Sequence, residues 1–415
     1  VFGRPGAGFT VNSTPTFTLD SNATLYARLN HPYPDGMLLP PGRSLGERTF
    51  LGLSASTILP SNNRNPEYHS WNLSIQRELP FQSLLEINYT GSRGTHLFLP
   101  FTSLTPLHPM YWGMGRTALN AFVPNPFFGL ITDRLATNLN RPTVQLFRLF
   151  RPMPHFDGAA VGTAEPPRAD SNYHALQVKW EKRYSRGLTM LTHYTWSKMI
   201  DNASHASGNV AWLGGTTGLQ YIWNLGLERS LSAHDVAHRV VLTGAWEMPV
   251  GRGRRFGSGW NRPLDLILGG WEISGMATLQ SGMPLHVTQA GGAIWDGTQR
   301  PNLIGDPSTK GSVVSRMDAW FNPAAFSQPP LDVPGTAPRN LNYRGPAIKT
   351  LDAALLKSFR VKEGQRFEFR IEAQNVTNTP VFADPNTSFG SVAFGQITGL
   401  KVGPRNVQLG MKYYF

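Results

Sequence analysis

The feature that most restricts this chain is a two-residue periodicity held over unusually long segments. In Trp71-Asn72-Leu73-Ser74-Ile75-Gln76 apolar and polar side chains alternate, and Leu85, Ile87 and Tyr89 then interleave with Glu86, Asn88 and Thr90. Leu176, Val178 and Trp180 oppose Gln177, Lys179 and Glu181, and Leu188, Met190, Thr192, Tyr194 and Trp196 form one face of the next segment. The pattern returns at Val240, Leu242 and Trp246 and along Trp271–Gln280. It ends with Phe367, Phe369, Ile371 and Ala373 against Glu368, Arg370, Glu372 and Gln374, then with Val407, Leu409, Met411, Tyr413 and Phe415. An extended backbone sends successive side chains to opposite faces, so each segment is a strand with one oily and one wet face. Many run ~10 to 13 residues, against a mean of about 5 or 6 for soluble strands. About ten alternating residues are what a tilted strand needs to cross a bilayer between lipid and water. A large soluble sandwich or propeller with one solvated face is the competing reading.

The links between strands separate the two. Short ones fall at Leu79–Gln82, Ser185–Gly187, Pro249 to about Leu266, and Lys362–Gly364, and they alternate with long ones near 95–172, 199–234, 282–348 and 377–404. A strand between 348 and 362 follows from its two flanking links. Membrane barrels have brief turns on one side and extended loops on the other, whereas a sandwich or propeller spaces its turns more evenly. Nine strands are readable, with one to three further candidates that include a hairpin around Val144–Phe150 and a weak strand near Thr49–Ser56. The expected organisation is a poorly patterned segment 1–65 followed by a barrel portion 66–415.

Composition narrows the class further. The chain has 415 residues, with 42 glycines and 33 prolines, where average usage gives about 50 of the two together. Both residues break helices, so a mainly helical protein is excluded. No cysteine is present, which removes disulfides, thiolate metal sites and cysteine nucleophiles. No run of ~20 apolar residues offers a membrane-crossing helix. The net charge of +12 is spread singly or in pairs apart from Arg252, Arg254 and Arg255, with no basic stripe or nucleic-acid motif. No nucleic-acid partner is expected.

At this point the residues resemble a known family, the C-terminal barrel part of TonB-dependent outer-membrane transporters. The likeness is nearest to the Oar-like group, which is often fused to a carboxypeptidase-regulatory-like domain. It is carried by Asn65-Pro66 with Trp71–Leu79, Asn88-Tyr89-Thr90-Gly91-Ser92-Arg93-Gly94, Tyr173-His174-Ala175-Leu176-Gln177, Tyr194-Thr195-Trp196-Ser197-Lys198 and His238-Arg239. Gly269-Gly270-Trp271, Gln280-Ser281-Gly282, Arg300-Pro301-Asn302-Leu303, Trp320–Phe326, Phe369–Asn378 and the terminal Phe415 continue it in order. Each anchor is weak alone; their order and spacing from 65 to 415 are specific.

The resemblance implies an all-β, antiparallel transmembrane β-barrel with long extracellular loops and short periplasmic turns, and a receptor and import channel for a bulky nutrient. Such transporters carry a signal peptide, an energy-coupling box and a plug domain, none of which is recognisable here, and their complete barrel has 22 strands around a plugged lumen. The expectation is therefore a partial barrel, the C-terminal portion of the 22-stranded type, as a fragment or truncated product. The implied partners are outer-membrane lipids and lipopolysaccharide, the barrel-assembly machinery, the TonB energy-coupling system acting through a plug, and an unidentified nutrient. The ending Leu409, Met411, Tyr413 and Phe415 resembles the signal that the assembly machinery reads. It places Phe415, and with it the Arg252/Arg254/Arg255 turn, on the periplasmic side. A passive pore or surface adhesin, and a secreted all-β carbohydrate-active enzyme, are the alternatives.

Candidate chemistry is sparse. His234-Asp235-Val236-Ala237-His238 has two histidines four apart but lacks the helix and the adjacent glutamate of a zinc-protease motif. Gly251-Arg252-Gly253-Arg254-Arg255-Phe256-Gly257 is not a phosphate-binding fingerprint and reads as a turn. Glu368 and Glu372 stand ~13 Å apart on an extended strand, too far for a shared glycosidic centre. With Arg370 and Gln374 they read as a charge ladder lining the lumen. No nucleophile elbow occurs, so no enzyme, metal or cofactor is expected. Trp112, Trp212, Trp223, Trp295 and Trp320 lie in the long links, and Trp212, Trp223 and Trp295 are candidate ligand contacts. Packing or the interfacial girdle is the plainer role for such tryptophans.

Overall fold

A computed structural model of the chain describes residues 64–99, 105–131, 138–156, 167–203 and 219–415, except 293 and 363, with short pieces before residue 64 and at 102–103 and 162–163. The chain divides into two compact units, residues 1–64 with 98–167, and residues 65–97 with 168–415.

The second unit is built on nine long strands: β1 Glu67–Leu79, β2 Ser83–Phe98, β3 Pro167–Ser185, β4 Leu188–Asp201, β5 His238–Glu247, β6 Trp271–Gln280, β7 Ile348–Lys362, β8 Gln365–Gln374 and β9 Asn406–Tyr414. Each pairs with its neighbour in sequence, giving one up-and-down sheet from β1 to β9. Every pairing along it whose register is described is antiparallel. Its strands run from 9 to 19 residues.

Register carries the alternation across the sheet. Trp246 lies opposite Ile273, Ile273 opposite Leu355, Leu355 opposite Ile371, and Ile371 opposite Leu409. A one-residue slip at any of these pairings would move a whole oily row to the wet face. Among the described residues many side chains of the apolar face are exposed: Trp71, Leu73, Ile75, Ile87, Trp196, Leu242, Trp246, Ile273, Leu279, Leu409 and Met411. Contiguous apolar surface on this scale marks contact with a membrane or another protein. Trp196 and the Leu188–Trp246 pair stand eight residues apart along β4, ~26 Å at ~3.3 Å per residue. That matches the ≈ 25 Å apolar band of a membrane barrel, edged by aromatics.

The sheet is open. β1 and β9 are its edges, and their residues are exposed on both faces apart from Leu79 and Gly410. Since strands in the meander reverse direction at each step, β1 and β9 run the same way. Closing one on the other would make a parallel pair, so an antiparallel closure of this sheet takes an odd number of further strands.

Short links sit where the sequence predicts. Arg186 and Gly187 join β3 to β4 with φ of 53° and 82°, the double left-handed pattern of a type I′ hairpin turn. A Cβ on Gly187 would meet the Glu247 carbonyl oxygen at 2.8 Å. Between β5 and β6 the link expected from Pro249 to about Leu266 spans 248–270 and holds an unexpected helix, α1 Arg262–Leu268. Asn261 caps it through Oδ1 to the Leu264 N–H at 3.0 Å, and proline stands in its first turn.

In the first unit, Phe122–Pro124 pairs with Thr143–Gln145, followed by a helical turn Leu146–Leu149. The hairpin expected around Val144–Phe150 is therefore replaced by a pairing of 143–145 with the earlier 122–124 and a helical turn over 146–149. A small core of Ile131, Leu139 and Val144 is joined by Val123, Phe127 and Leu149. Most of the weak strand expected near Thr49–Ser56 lies outside the described residues.

Candidate functional site: the long connections

Many apolar side chains on the oily face of the sheet are exposed among the described residues, and the main hydrophobic core lies in the long links instead. Leu285, Val287, Trp320, Phe321, Ala325, Phe326 and Leu341 from 281–347 pack with Ile397 from 375–405. Phe321 stacks on Phe394 at 4.8 Å and meets Phe326 edge-on at 5.9 Å. Arg316 lies 4.0 Å over the Trp320 ring, and Trp320 Nε1 donates to the Arg344 carbonyl at 3.0 Å. The ends of 281–347 approach so closely that a Cβ on Gly282 would stand 1.9 Å from the Gly345 carbonyl oxygen. Only glycine fits that crossing.

A buried polar network ties this core to residues 219–237. The Arg300 guanidinium, 1% exposed, donates to the fully buried Glu228 carboxylate at 2.6 Å. It also donates to the Ala337 and Leu227 carbonyls at 3.0 Å each. Glu228 accepts further bonds from the Gln220 and Tyr221 N–H groups at 3.0 and 3.2 Å. Arg339 donates to the Glu228 carbonyl at 3.0 Å, to the Asp201 carbonyl at 3.1 Å and to the Asp201 carboxylate. Arg344 pairs with the Asp235 carboxylate and donates to the Gly282 carbonyl at 3.2 Å. A buried charge is tolerated only with such compensation. Burial pulls the Arg339 guanidinium below its usual range, against the attraction of Asp201. Desolvation likewise lowers the pKa of His286, opposed by its hydrogen bond with the Arg339 carbonyl. Asp306 is held below the usual carboxylate range by bonds from the Ser308 N–H and hydroxyl.

Beside this assembly lies a cleft of about 390 Å³, lined by Tyr89, His174, Trp196, Lys198, Asp235 and Arg344 among others. The Tyr89 hydroxyl and His174 Nδ1 are 2.8 Å apart, as Tyr194 and His238 are at 3.0 Å. His238 of the paired-histidine motif thus joins an aromatic rim, and Asp235 is engaged by Arg344. Among the described residues no cluster of histidine and carboxylate groups could hold a metal ion.

The residues singled out in the sequence fall in different places. Glu368, Arg370 and Glu372 share one face of β8, with Arg370 bridging both carboxylates at 3.2 and 3.1 Å, and Gln374 lies at the register position opposite Asn406. Leu409, Met411, Tyr413 and Phe415 stand together on the exposed apolar face. Trp223 is exposed, Trp295 is half-buried, and Trp212 lies outside the described residues. Trp112 donates to the Leu107 carbonyl at 3.1 Å in the first unit, and Trp320 is core. Glu228, Arg339 and Arg344, which organise the links, carry no local signature. Arg339 and Arg344, like Arg300, at least stand beside proline or glycine, in Pro338-Arg339, Arg344-Gly345 and Arg300-Pro301, whereas Glu228 lies between Leu227 and Arg229.

A sheet with long alternating strands, an exposed oily face and aromatic edges, carrying its packed core in the links, defines a membrane-embedded β-barrel class. The chain belongs to the outer membrane β-barrel domain family, which it matches over residues 3–408. It is a protein of the outer membrane. No curated protein matches it. Among solved structures it is similar to the outer membrane transporter YddB from Escherichia coli, with 8% identity and a TM-score of 0.41 over 85% of this chain and 33% of that one. It is also similar to the pyoverdine outer membrane receptor FpvA from Pseudomonas aeruginosa PAO1 (9%, 0.34, 84% and 30%) and to the siderophore receptor PiuA from Acinetobacter baumannii (12%, 0.22, 85% and 40%). The chain spans about a third of the length of these proteins.

Proposed function

We propose that this chain is the barrel portion of an Oar-like, TonB-dependent type of receptor that admits a bulky nutrient through the outer membrane without performing chemistry on it. The observation that carries the reading is the organised assembly formed by 219–237, 281–347 and 375–405. A passive pore needs only an open lumen, whereas capture of a large ligand needs a rigid surface, and fixing one in advance lowers the ordering cost of binding. The open edges of β1 and β9 fit a share of a larger barrel, the remaining strands coming from elsewhere in the complete protein. In this reading residues 66–415 supply that share, and Glu368, Arg370, Glu372 and Gln374 line the lumen. Trp223 and Trp295 are candidate ligand contacts, and Leu409, Met411, Tyr413 and Phe415 are read by the assembly machinery. Lipopolysaccharide surrounds the outer rim. Energy from the inner membrane reaches the barrel through a TonB-coupled plug.

The test is uptake by cells producing the complete protein, with and without a proton gradient across the inner membrane. Accumulation that stops when the gradient collapses, and that falls when Glu228 is replaced by alanine, supports the reading. Solute flux indifferent to both overturns it in favour of a passive pore.

A further inference from the structure

The link 248–270 is far longer than the other short links, and what it spends its residues on is an apolar helix against the membrane-facing side of the sheet. Trp271 and Lys357 are direct cross-strand neighbours, on the face that also bears Trp246, Ile273 and Leu355. Trp271 Nε1 donates to the Ile267 carbonyl at 3.0 Å. The Lys357 ammonium donates to the Ile267 carbonyl at 3.2 Å and to the Gly269 carbonyl, closing the C-terminal end of α1. The helix is therefore pinned at the edge of the oily band. Leu264, Ile267 and Leu268 recur at helical spacing on one of its sides, and all three are exposed, Ile267 at 66%. Asp265 points elsewhere, accepting from the Arg252 N–H at 2.6 Å.

That same aspartate contact holds a cationic turn over the helix. Arg254 pairs with Glu247 at 3.1 Å, and Arg255 lies 5.3 Å over the exposed Phe256 ring. Arg252 and Arg255 are exposed and have no carboxylate partner among the described residues. Leucine and isoleucine facing out, flanked by arginine and aromatic residues, is the composition of a segment lying in the plane of a membrane interface. Arginine near such a surface gains from anionic headgroups, roughly 1 kcal/mol or about fivefold in affinity each.

We infer that residues 248–270 form an interfacial anchor, with Leu264, Ile267 and Leu268 immersed in the acyl region of the short-link leaflet and Arg252 and Arg255 on the phosphates of anionic phospholipids. The inference rests on the membrane placement of the sheet, and on the orientation proposed above only for naming that leaflet the periplasmic one. The apolar face of β5, β6 and β7 meets the helix at Trp271, with the Lys357 ammonium turned into the helix end, so the bilayer that covers one covers the other.

The absence of cysteine makes the test clean. Single cysteines are placed at Leu264, Ile267 and Leu268, at Leu242 in the middle of the apolar face, and at Ser258 in the turn. Each full-chain variant is spin-labelled in vesicles of phosphatidylcholine with or without phosphatidylglycerol, and collisions with oxygen and with a water-soluble nickel complex are compared. Labels at the three helix positions that favour oxygen several-fold more than the label at Ser258, as the label at Leu242 does, support the anchor. Wet helix labels beside an immersed Leu242 label overturn the anchor and leave the membrane sheet standing; a wet Leu242 label overturns the membrane placement itself. Helix labels shielded from both probes show a protein-covered helix and also overturn the anchor. Phosphatidylglycerol should deepen the helix labels in the native turn and not in an Arg252→Gln/Arg255→Gln background. Equal depth with and without it overturns the headgroup contact.

Discussion

Arg300 and Glu228 are separated by 72 residues in sequence and meet at 2.6 Å in a site from which solvent is excluded. This pair and its neighbours Gln220, Arg339 and Asp201 fasten two long links into one body. Removing one member of a buried pair strands the other charge, at a cost of about 3–5 kcal/mol, whereas removing both together costs much less. Glu228→Gln should therefore loosen 219–237 and 281–347, seen as faster amide exchange there with strand β6 unchanged. Glu228→Gln combined with Arg300→Met should recover much of the protection. Equal protection in the wild type and the single variant would show that the pair does not hold the links.

His286 makes the same assembly sensitive to acid. Its folded pKa lies below the ordinary value of 6.5 because burial disfavours the imidazolium. The unfolded links therefore bind more protons than the folded ones as pH falls, and stability declines with acidification. The contribution is whole above about pH 6.5 and is lost progressively below it. Proteolysis within 281–347 should accelerate between about pH 7 and about pH 5.5, the interval of a histidine switch. His286→Gln should flatten that dependence; an unchanged slope would assign it to other groups.

Leu242 lies midway between His238, opposite Trp196, and Trp246, opposite Leu188. That puts it near the centre of the apolar band. Arginine at such a lipid-facing position costs ~2–4 kcal/mol. Leu242→Arg should cut the yield of membrane-inserted protein or its midpoint in denaturant, while Thr243→Arg on the opposite face should be tolerated. Equal effects at the two sites would mean that the faces are not distinguished by lipid.

Much of the sheet could be read in advance because its cause is local. The alternation in Trp271–Gln280 and the Arg186-Gly187 turn each depend on side chains within a few positions. The register of β6 between β5 and β7 then follows from keeping oily rows together. α1 had local signals too, in Asn261 at the cap, Pro263 in the first turn and Gly269 after the end. They were masked by the glycines and arginines that precede them, which favour a simple turn. The links resisted reading for a different reason. Arg339 reaches Asp201 across 138 residues, and a bonding partner that distant leaves no period or spacing to find. The anchors Arg300-Pro301-Asn302-Leu303 and Trp320–Phe326 marked the places, and only the fold shows that the first holds a buried charge and the second a core.

The most direct test of the membrane-facing sheet is a cysteine scan along β6, from Trp271 to Gln280, in the full chain reconstituted in vesicles. Spin labels at 271, 273, 275, 277 and 279 should meet oxygen preferentially, and those at 272, 274, 276, 278 and 280 the water-soluble nickel complex, a period of two along the strand. A flat profile, or one in which all ten positions are equally wet, would contradict the account.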